Sequence, residues 1–282
     1  MRLLPVLLVT PLFAFAEPGP VRLCTGSANN PYHAFGAAIA KRLEGKLKVD
    51  VKLSRGSWDN LEGLDAPKRR CDVAIVQEDA LILYLHNRPR SAENLVKVAP
   101  IFSEFVHLVC NRRVGTDSLY GLHHLKHKIV ANRRGSGTYV TWELFQKQSP
   151  ELRALTGPKA SFQDGMIQIL DQQGADCMAF VARLGNSSVD LANRGFGSQL
   201  RLVAIPETKL AQLKNAEGRR VYKPATIPKK AYPNLATGPV PTVSIDAFFL
   251  MARGWTKGKK GDADTLAGAV RAEIEAATPP RP

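Results

Sequence analysis

Apolar and polar positions along the chain follow two alternating rhythms. Short β-rich runs at 21–25, 49–53, 72–76 and 96–102 predict strands. Between them apolar residues recur at helical spacing: Tyr32, Phe35, Ile39 and Leu43 on one segment, and Trp58, Leu61 and Leu64 on the next. A third, short helix is predicted over about 79–86. The long apolar run 105–110 ends in Asn111-Arg112-Arg113, and the alternation then starts afresh. Its pieces are a strand at 129–131, a helix over about 137–147, a helix around 165–172, and strands at 176–181, 200–205 and 221–226. The segment 242–252 is long and apolar enough to return beside 105–110, and a last helix carries Leu266, Val270 and Ile274 on one face.

Strands that alternate with helices predict an α/β fold with mainly parallel sheets. The fresh start after Asn111 predicts two lobes, residues 17–104 plus 253–282 and residues 105–252, linked by two crossing segments that hinge near Asn111 and Arg253. The last helix should pack back on the first lobe.

In open α/β sheets ligands bind beyond the carboxyl ends of strands, where helices begin and present free backbone N–H groups. Three such turns carry Gly for close backbone approach and Ser or Thr for a cap. They are Thr25-Gly26-Ser27-Ala28-Asn29-Asn30-Pro31-Tyr32, Arg55-Gly56-Ser57-Trp58-Asp59-Asn60 and Arg133-Arg134-Gly135-Ser136-Gly137-Thr138. Their distribution over both lobes predicts a shared cleft. Gln77 is polar at the end of an otherwise apolar strand, which also points to a site, whereas Asp79 reads as a helix cap. An anion would sit on the amides of Ser136, Gly137 and Thr138, with one or two of Arg55, Arg133, Arg134 and Arg183 turned towards it.

Composition narrows the setting. Arg2 precedes an apolar run over 3–15 that finishes in Ala14-Phe15-Ala16, the pattern of a secretory signal peptide over residues 1–16 cleaved after Ala16. The run is too short to span a bilayer, so a periplasmic mature protein is expected. The formal charge of +14 over 282 residues would suit nucleic acid, but export argues against that partner and the basic residues are scattered. Four cysteines allow three full pairings. Cys24 ends a predicted strand while Cys71 begins a neighbouring one, so at about 3.3 Å per residue they should lie more than about 10 Å apart. The cysteines are therefore expected to be mostly buried and unpaired. His123, His124 and His127 form an HHxxH cluster, read as a solvated Lys-rich loop without a nearby carboxylate, so neither metal nor other cofactor is expected. The chain has no GxSxG, GxxxxGK[ST] or HExxH motif, which argues against an enzyme.

The ordered motifs resemble the TAXI family of solute-binding proteins that serve TRAP-type transporters. Thr25-Gly26 with Tyr32 and Gly36 is similar to that family's TGGTGGxYY-x-x-G opening, Gly56 to Asn60 to its GS-x-x-N turn, and Asp72 to Asp79 to its DLA-x-VQ-x-D strand. Phe105 to Val109 resembles the VHLVV crossing strand, Gly135 to Thr138 the GSGT helix start, and Tyr232-Pro233 with Val240 to Val243 the later YP and VPTV pieces. The chain departs from the pattern at Ser27 to Pro31, at His33, and at Arg133-Arg134 before GSGT. The resemblance implies a two-lobed type II periplasmic binding protein fold and a monomer. It further implies an acidic amino acid or dicarboxylate, such as glutamate or 2-oxoglutarate, as ligand and TRAP membrane subunits as partner. It places Thr25, Gly26, Tyr32, Ser57, Asn60 and Gln77 on one wall of the cleft and Ser136, Gly137 and Thr138 on the other, and Ser27 of the first turn is a further candidate ligand-binding residue. A sensory or orphan binding protein, or one with a pyrimidine-like ligand, is the alternative.

Overall fold

The structure is a computed structural model that describes residues 19–28, 30–172, 174–206 and 212–277. The expected signal peptide lies outside the described residues. No helix among them is long and apolar enough to cross a membrane.

The first half is built on β1 (Val21–Cys24), β2 (Val49–Lys52) and β3 (Val73–Gln77), all parallel, with β1 between the other two. Helix α1 (Pro31–Arg42) starts on Pro31, which lacks only an N–H that the first turn would leave unpaired. It buries Tyr32, Phe35, Gly36 and Ile39 on the sheet. A Cβ at Gly36 would lie 2.7 Å from Thr25 Cγ2, so only glycine lets the helix approach β1 so closely. Helices α2 (Ser57–Asp65) and α3 (Glu78–Asn87) leave the carboxyl ends of β2 and β3.

Next comes β4 (Leu95–Asn111), a single strand of 17 residues that absorbs both 96–102 and 105–110. The second half continues through α4 (Leu119–His124), β5 (Ile129–Val130), α5 (Gly137–Gln148), α6 (Phe162–Leu170), β6 (Cys177–Ala182), α7 (Ser187–Phe196), β7 (Leu200–Leu202) and β8 (Lys223–Ile227). Strand β9 (Val240–Ala252) returns to the first half, and α8 (Arg253–Gly258) and α9 (Lys260–Ala277) follow. Leu266 and Val270 bury α9 in the first core, and Arg42 pairs with Glu273 at 2.8 Å, so the last helix packs where expected.

The strands form one sheet in the order β2-β1-β3-β9-β4-β6-β5, with β7 on β4 and β8 on β9. Pairing is parallel in β1 with β2 and β3 and in β5 with β6. It is antiparallel wherever β4 or β9 takes part, because these two run opposite ways between the halves. Strand β9 lies along Leu95 to Phe105 rather than beside 105–110, which pairs instead with β6. Apolar residues gather in a first core fed by residues up to Ile101, by Ala247 to Val270 and by Val140 and Leu144 of α5, and in two further clusters fed by other residues between Val106 and Ile245.

This moves the crossing. The passage from one core to the other falls between Ile101 and Val106 on β4 and between Ile245 and Ala247 on β9, not near Asn111 and Arg253. Asn111 sits wholly within the second half, its N–H donating to Asp176 O and its side-chain amide to Ile169 O. Two short helices, α4 and α7, were not anticipated in the polar stretches they occupy. His127 contradicts the solvated-loop expectation, since its Nδ1 lies 3.2 Å from Asp176 Oδ1. No group of three metal-ligating side chains occurs among the described residues.

The cysteine expectation is overturned. Cys24 is bonded to Cys71 and Cys110 to Cys177, with Cα separations of 5.6 and 4.0 Å. Distance counted along paired strands fails for Cys71 because it lies before β3 begins. It sits in the turn that leaves α2, where its N–H donates to Gly63 O and the chain folds back over β1. Cys110 and Cys177 are direct cross-strand partners of β4 and β6. Each bridge stays within one half. Non-reducing denaturation should therefore reveal no free thiol, and replacing Cys110 and Cys177 together by Ser should lower unfolding free energy by about 3 kcal/mol, the usual scale for such a loop. A denaturant titration that shows no change would contradict this.

Candidate functional site

A cavity of about 610 Å³ opens between the halves. Its walls are largely helix beginnings. Helix α1 is capped by Asn30, whose Oδ1 accepts from Tyr32 N, and α2 starts after Gly56 without a side-chain cap. Helix α5 is capped by Ser136 through Tyr139 N, α6 by Ser161 through Asp164 N, and α7 by Asn186 through Ser188 N. Caps or first-turn residues of all five line the same space. Each terminus brings N–H groups without an i−4 carbonyl and about half a positive charge, so the cavity is set up to hold negative charge.

The α2 and α5 turns meet across it. Gly56 (φ 122°) and Gly135 (φ 102°) adopt backbone conformations open to glycine. They let the two turns touch, with Asp59 N donating to Gly135 O at 3.4 Å. A Cβ at Gly137 would fall 1.5 Å from Gln77 Oε1 and 3.1 Å from Ser57 Oγ. Gln77 and Ser57 are tied in turn, since Gln77 N donates to Ser57 Oγ at 3.0 Å.

Glu104 lines the cavity where β4 passes between the cores. Tyr32 OH donates to its Oε2 at 2.6 Å. Burial pushes the Glu104 carboxyl up to about 8, against the pull of the Tyr32 hydroxyl, the Gln77 amide and the Arg183 charge. Beside it Asp79 is buried and raised to about 6 by desolvation, although its Oδ2 accepts from Thr141 Oγ1 at 2.6 Å and Tyr222 OH at 3.0 Å. Asp79 thus joins α3 to α5 and to the Tyr222 segment instead of merely capping a helix.

Of the residues expected from sequence, Gly26, Ser27, Tyr32, Arg55, Ser57, Gln77, Arg134, Ser136, Gly137 and Thr138 all line the cavity. Three do not. Thr25 is fully buried and donates to Lys52 O, and Asn60 is buried behind the wall, where its amide donates to Thr25 O and Ile75 O. Arg183 borders an adjoining recess with its guanidinium 4.8 Å from the Phe102 ring centre. The amide of Ser136 is already spent on Arg133 O, which leaves those of Gly137 and Thr138 for an anion. Arg55 pairs with Asp59 and Arg133 with Asp164, whereas Arg134 lines the cavity with no ion pair among the described residues. Sequence reasoning missed Glu104, Ser161, Asn186 and Ser188. Ser161 and Asn186 are ordinary helix caps and Ser188 donates its N–H to the second of them, whereas Glu104 has no local signal.

The chain belongs to the NMT1-like family, whose profile matches residues 23–257. No curated protein matches it in sequence. In fold it is similar to ArtJ, the arginine-, lysine-, histidine-binding protein of Geobacillus stearothermophilus: TM-score 0.54 and 9% identity over 92% of this chain and 90% of that one. The aliphatic sulphonate binding protein SsuA of Escherichia coli gives 0.54 and 13% over 92% and 73%. AbpA, an amino acid transporter substrate-binding protein from Streptococcus pneumoniae bound to L-arginine, gives 0.50 and 15% over 91% and 87%. The fold is that of the two-lobed type II periplasmic binding proteins.

Both buried carboxyls hold their protons more tightly folded than unfolded. The stability they contribute is complete below their ordinary values of 4.5 and 3.8 and is lost as pH rises through about 6 for Asp79 and about 8 for Glu104. His107, buried and lowered to about 4, favours the fold above its ordinary 6.5 and so adds no slope at alkaline pH. Melting of the ligand-free protein should therefore fall between about pH 7 and pH 9, and Glu104→Gln should remove most of that fall. A flat or rising wild-type profile would refute the assignment.

Proposed function

We propose that the protein is an extracytoplasmic solute-binding protein that captures a small anionic metabolite between its two halves and delivers it to a membrane transporter. The observation that carries this is the convergence of five helix N-termini, with Arg134, on one cavity. Such a site favours carboxylates over neutral sugars or cations. An acidic amino acid or a dicarboxylate, such as glutamate or 2-oxoglutarate, is the class we favour, and a TRAP-type permease is the partner suggested by the motif order. Of the ligands named for the similar structures, the aliphatic sulphonate is an anion and L-arginine carries a carboxylate beside its cationic groups. We place the protein in the periplasm, with residues 1–16 removed on export, and regard it as a monomer that binds without turnover.

The halves would open and close by flexing β4 and β9 where they pass between the cores. A solute that touches both halves favours the closed form, because only there does it gain both sets of contacts.

In calorimetry of protein stripped by unfolding and refolding, di-acids should bind and neutral sugars should not. Gly137→Val should abolish acid binding with the fold retained, since its side chain would displace Gln77 from the α5 terminus. Small-angle scattering should show compaction on saturation with a bound acid. Sugars that bind as tightly as acids, or acid binding that survives at Gly137→Val, would defeat the proposal.

A further inference from the structure

The basic residues are scattered along the chain, but the fold gathers many of them at one end. The short segments 41–48, 66–72 and 253–264 hold eleven basic residues against four acidic ones, which is half of the formal charge of +14. Hydrogen bonds set the three segments side by side. Val21 N, at the start of β1, donates to Lys48 O, and Asp72 N donates to Arg22 O, each at 2.9 Å. Asp72 O in turn accepts from the N–H of Ala252, the last residue of β9, and a Cβ at Gly254 would lie 2.4 Å from Arg69 Nη1. The segments therefore cover the ends of four neighbouring strands, β2, β1, β3 and β9. At about 4.8 Å between strands this end is about 15 Å across before side chains are added. The solute cavity lies off the carboxyl ends of β1, β2 and β3, so the basic end is the opposite one.

Little at this end neutralises the charge. Asp72 is held by Arg22 and Asp262 by Lys259, which leaves Glu44 and Asp264. Lys41, Lys46, Lys48, Lys68, Lys257 and Lys260 are exposed and make no ion pair among the described residues. None of the six lines the solute cavity. The exposed large apolar side chains, Leu53, Leu125, Ile167 and Leu191, all lie outside the three segments, and their single aromatic residue, Trp255, is buried.

We propose that this end is a docking surface for the anionic phospholipid headgroups of a bilayer. Lysines spread over a broad end act as separate point charges, which suits a plane of mobile phosphates better than one bound anion. A single-stranded nucleic acid would need an exposed aromatic ring on which to stack, and this end has none among the described residues. The course of the chain points to lipid as well. Val21 opens β1 at this end, and residues 16–20 join it to the apolar run 3–15, a reach of at most about 20 Å. A bilayer that holds that run during export therefore meets the basic end first. With no apolar side chain to insert, the attachment is electrostatic, reversible and weakened by salt. It needs no solute and leaves the cavity on the side away from the lipid.

The test is co-sedimentation of the protein lacking residues 1–16 with vesicles of phosphatidylethanolamine containing about 30% phosphatidylglycerol, and with vesicles of phosphatidylcholine alone. At about 0.05 M salt the protein should sediment with the anionic vesicles and stay in solution beside the zwitterionic ones, and about 0.5 M salt should release it. Near an anionic bilayer each lysine contributes roughly fivefold to partitioning, so Lys46→Glu, Lys48→Glu, Lys257→Glu and Lys260→Glu together should weaken binding more than about a hundredfold. A control of equal net charge, with Lys147→Glu, Lys159→Glu, Lys229→Glu and Lys230→Glu at exposed positions of the second half, should lose less than about tenfold. If thermal melting shows that the first fourfold variant does not fold, its single substitutions replace it, each expected to lose at least about fivefold. Binding to neither kind of vesicle, or equal binding to both, would overturn the proposal. So would an equal loss in the two fourfold variants, which would assign the binding to net charge and not to this end.

Discussion

The antiparallel ladder between β4 and β9 carries the rest of the molecule. It pairs Leu95 to Phe105 with Ser244 to Ala252, and both strands then continue without a break into the second half, β4 towards β6 and β9 towards β8. Every helix terminus that lines the cavity is held in place by a sheet anchored on this pair. The ladder also explains why Glu104 is buried, since a carboxyl on a strand crossing between two cores is covered from both sides. Its cost is offset locally by Tyr32, Gln77 and Arg183, groups supplied by both halves.

Much of the site was legible in the sequence because helix caps are local. Gly56-Ser57 and Gly135-Ser136-Gly137 advertise a glycine turn followed by a helix start within four or five residues, and the structure brings both turns to one cavity. Thr25 and Asn60 lie off the cavity for a related reason. A motif fixes which residues gather at a turn, not which of them face the ligand, and both of these serve the backbone behind the wall. Glu104 was illegible because it lies between two apolar runs that read as separate strands, so a charged residue there looked like a connector. The partners that give it meaning are remote in sequence: Tyr32 lies 72 positions away.

The same division separates the strands from the cysteines. Period and turn chemistry placed the parallel strands and the last helix, because each depends on its own side chains. Cross-strand neighbours such as Cys110 and Cys177 depend on register, which no local pattern encodes. The electrostatics of the cavity is likewise a property of assembly. None of the five helix termini is unusual alone, and their effect arises from lining one cavity.

The two disulfides join the first cysteine to the second and the third to the fourth, with loops of 47 and 67 residues that neither overlap nor nest. A chain that enters an oxidising compartment amino end first presents Cys24 and Cys71 as a pair before Cys110 arrives. Oxidation in order of emergence then yields the native connectivity directly, and no thiol exchange is needed to reach it. Each half can be locked covalently as its own strands assemble, while the stretches of β4 and β9 that pass between the cores, 101–106 and 245–247, carry no bridge.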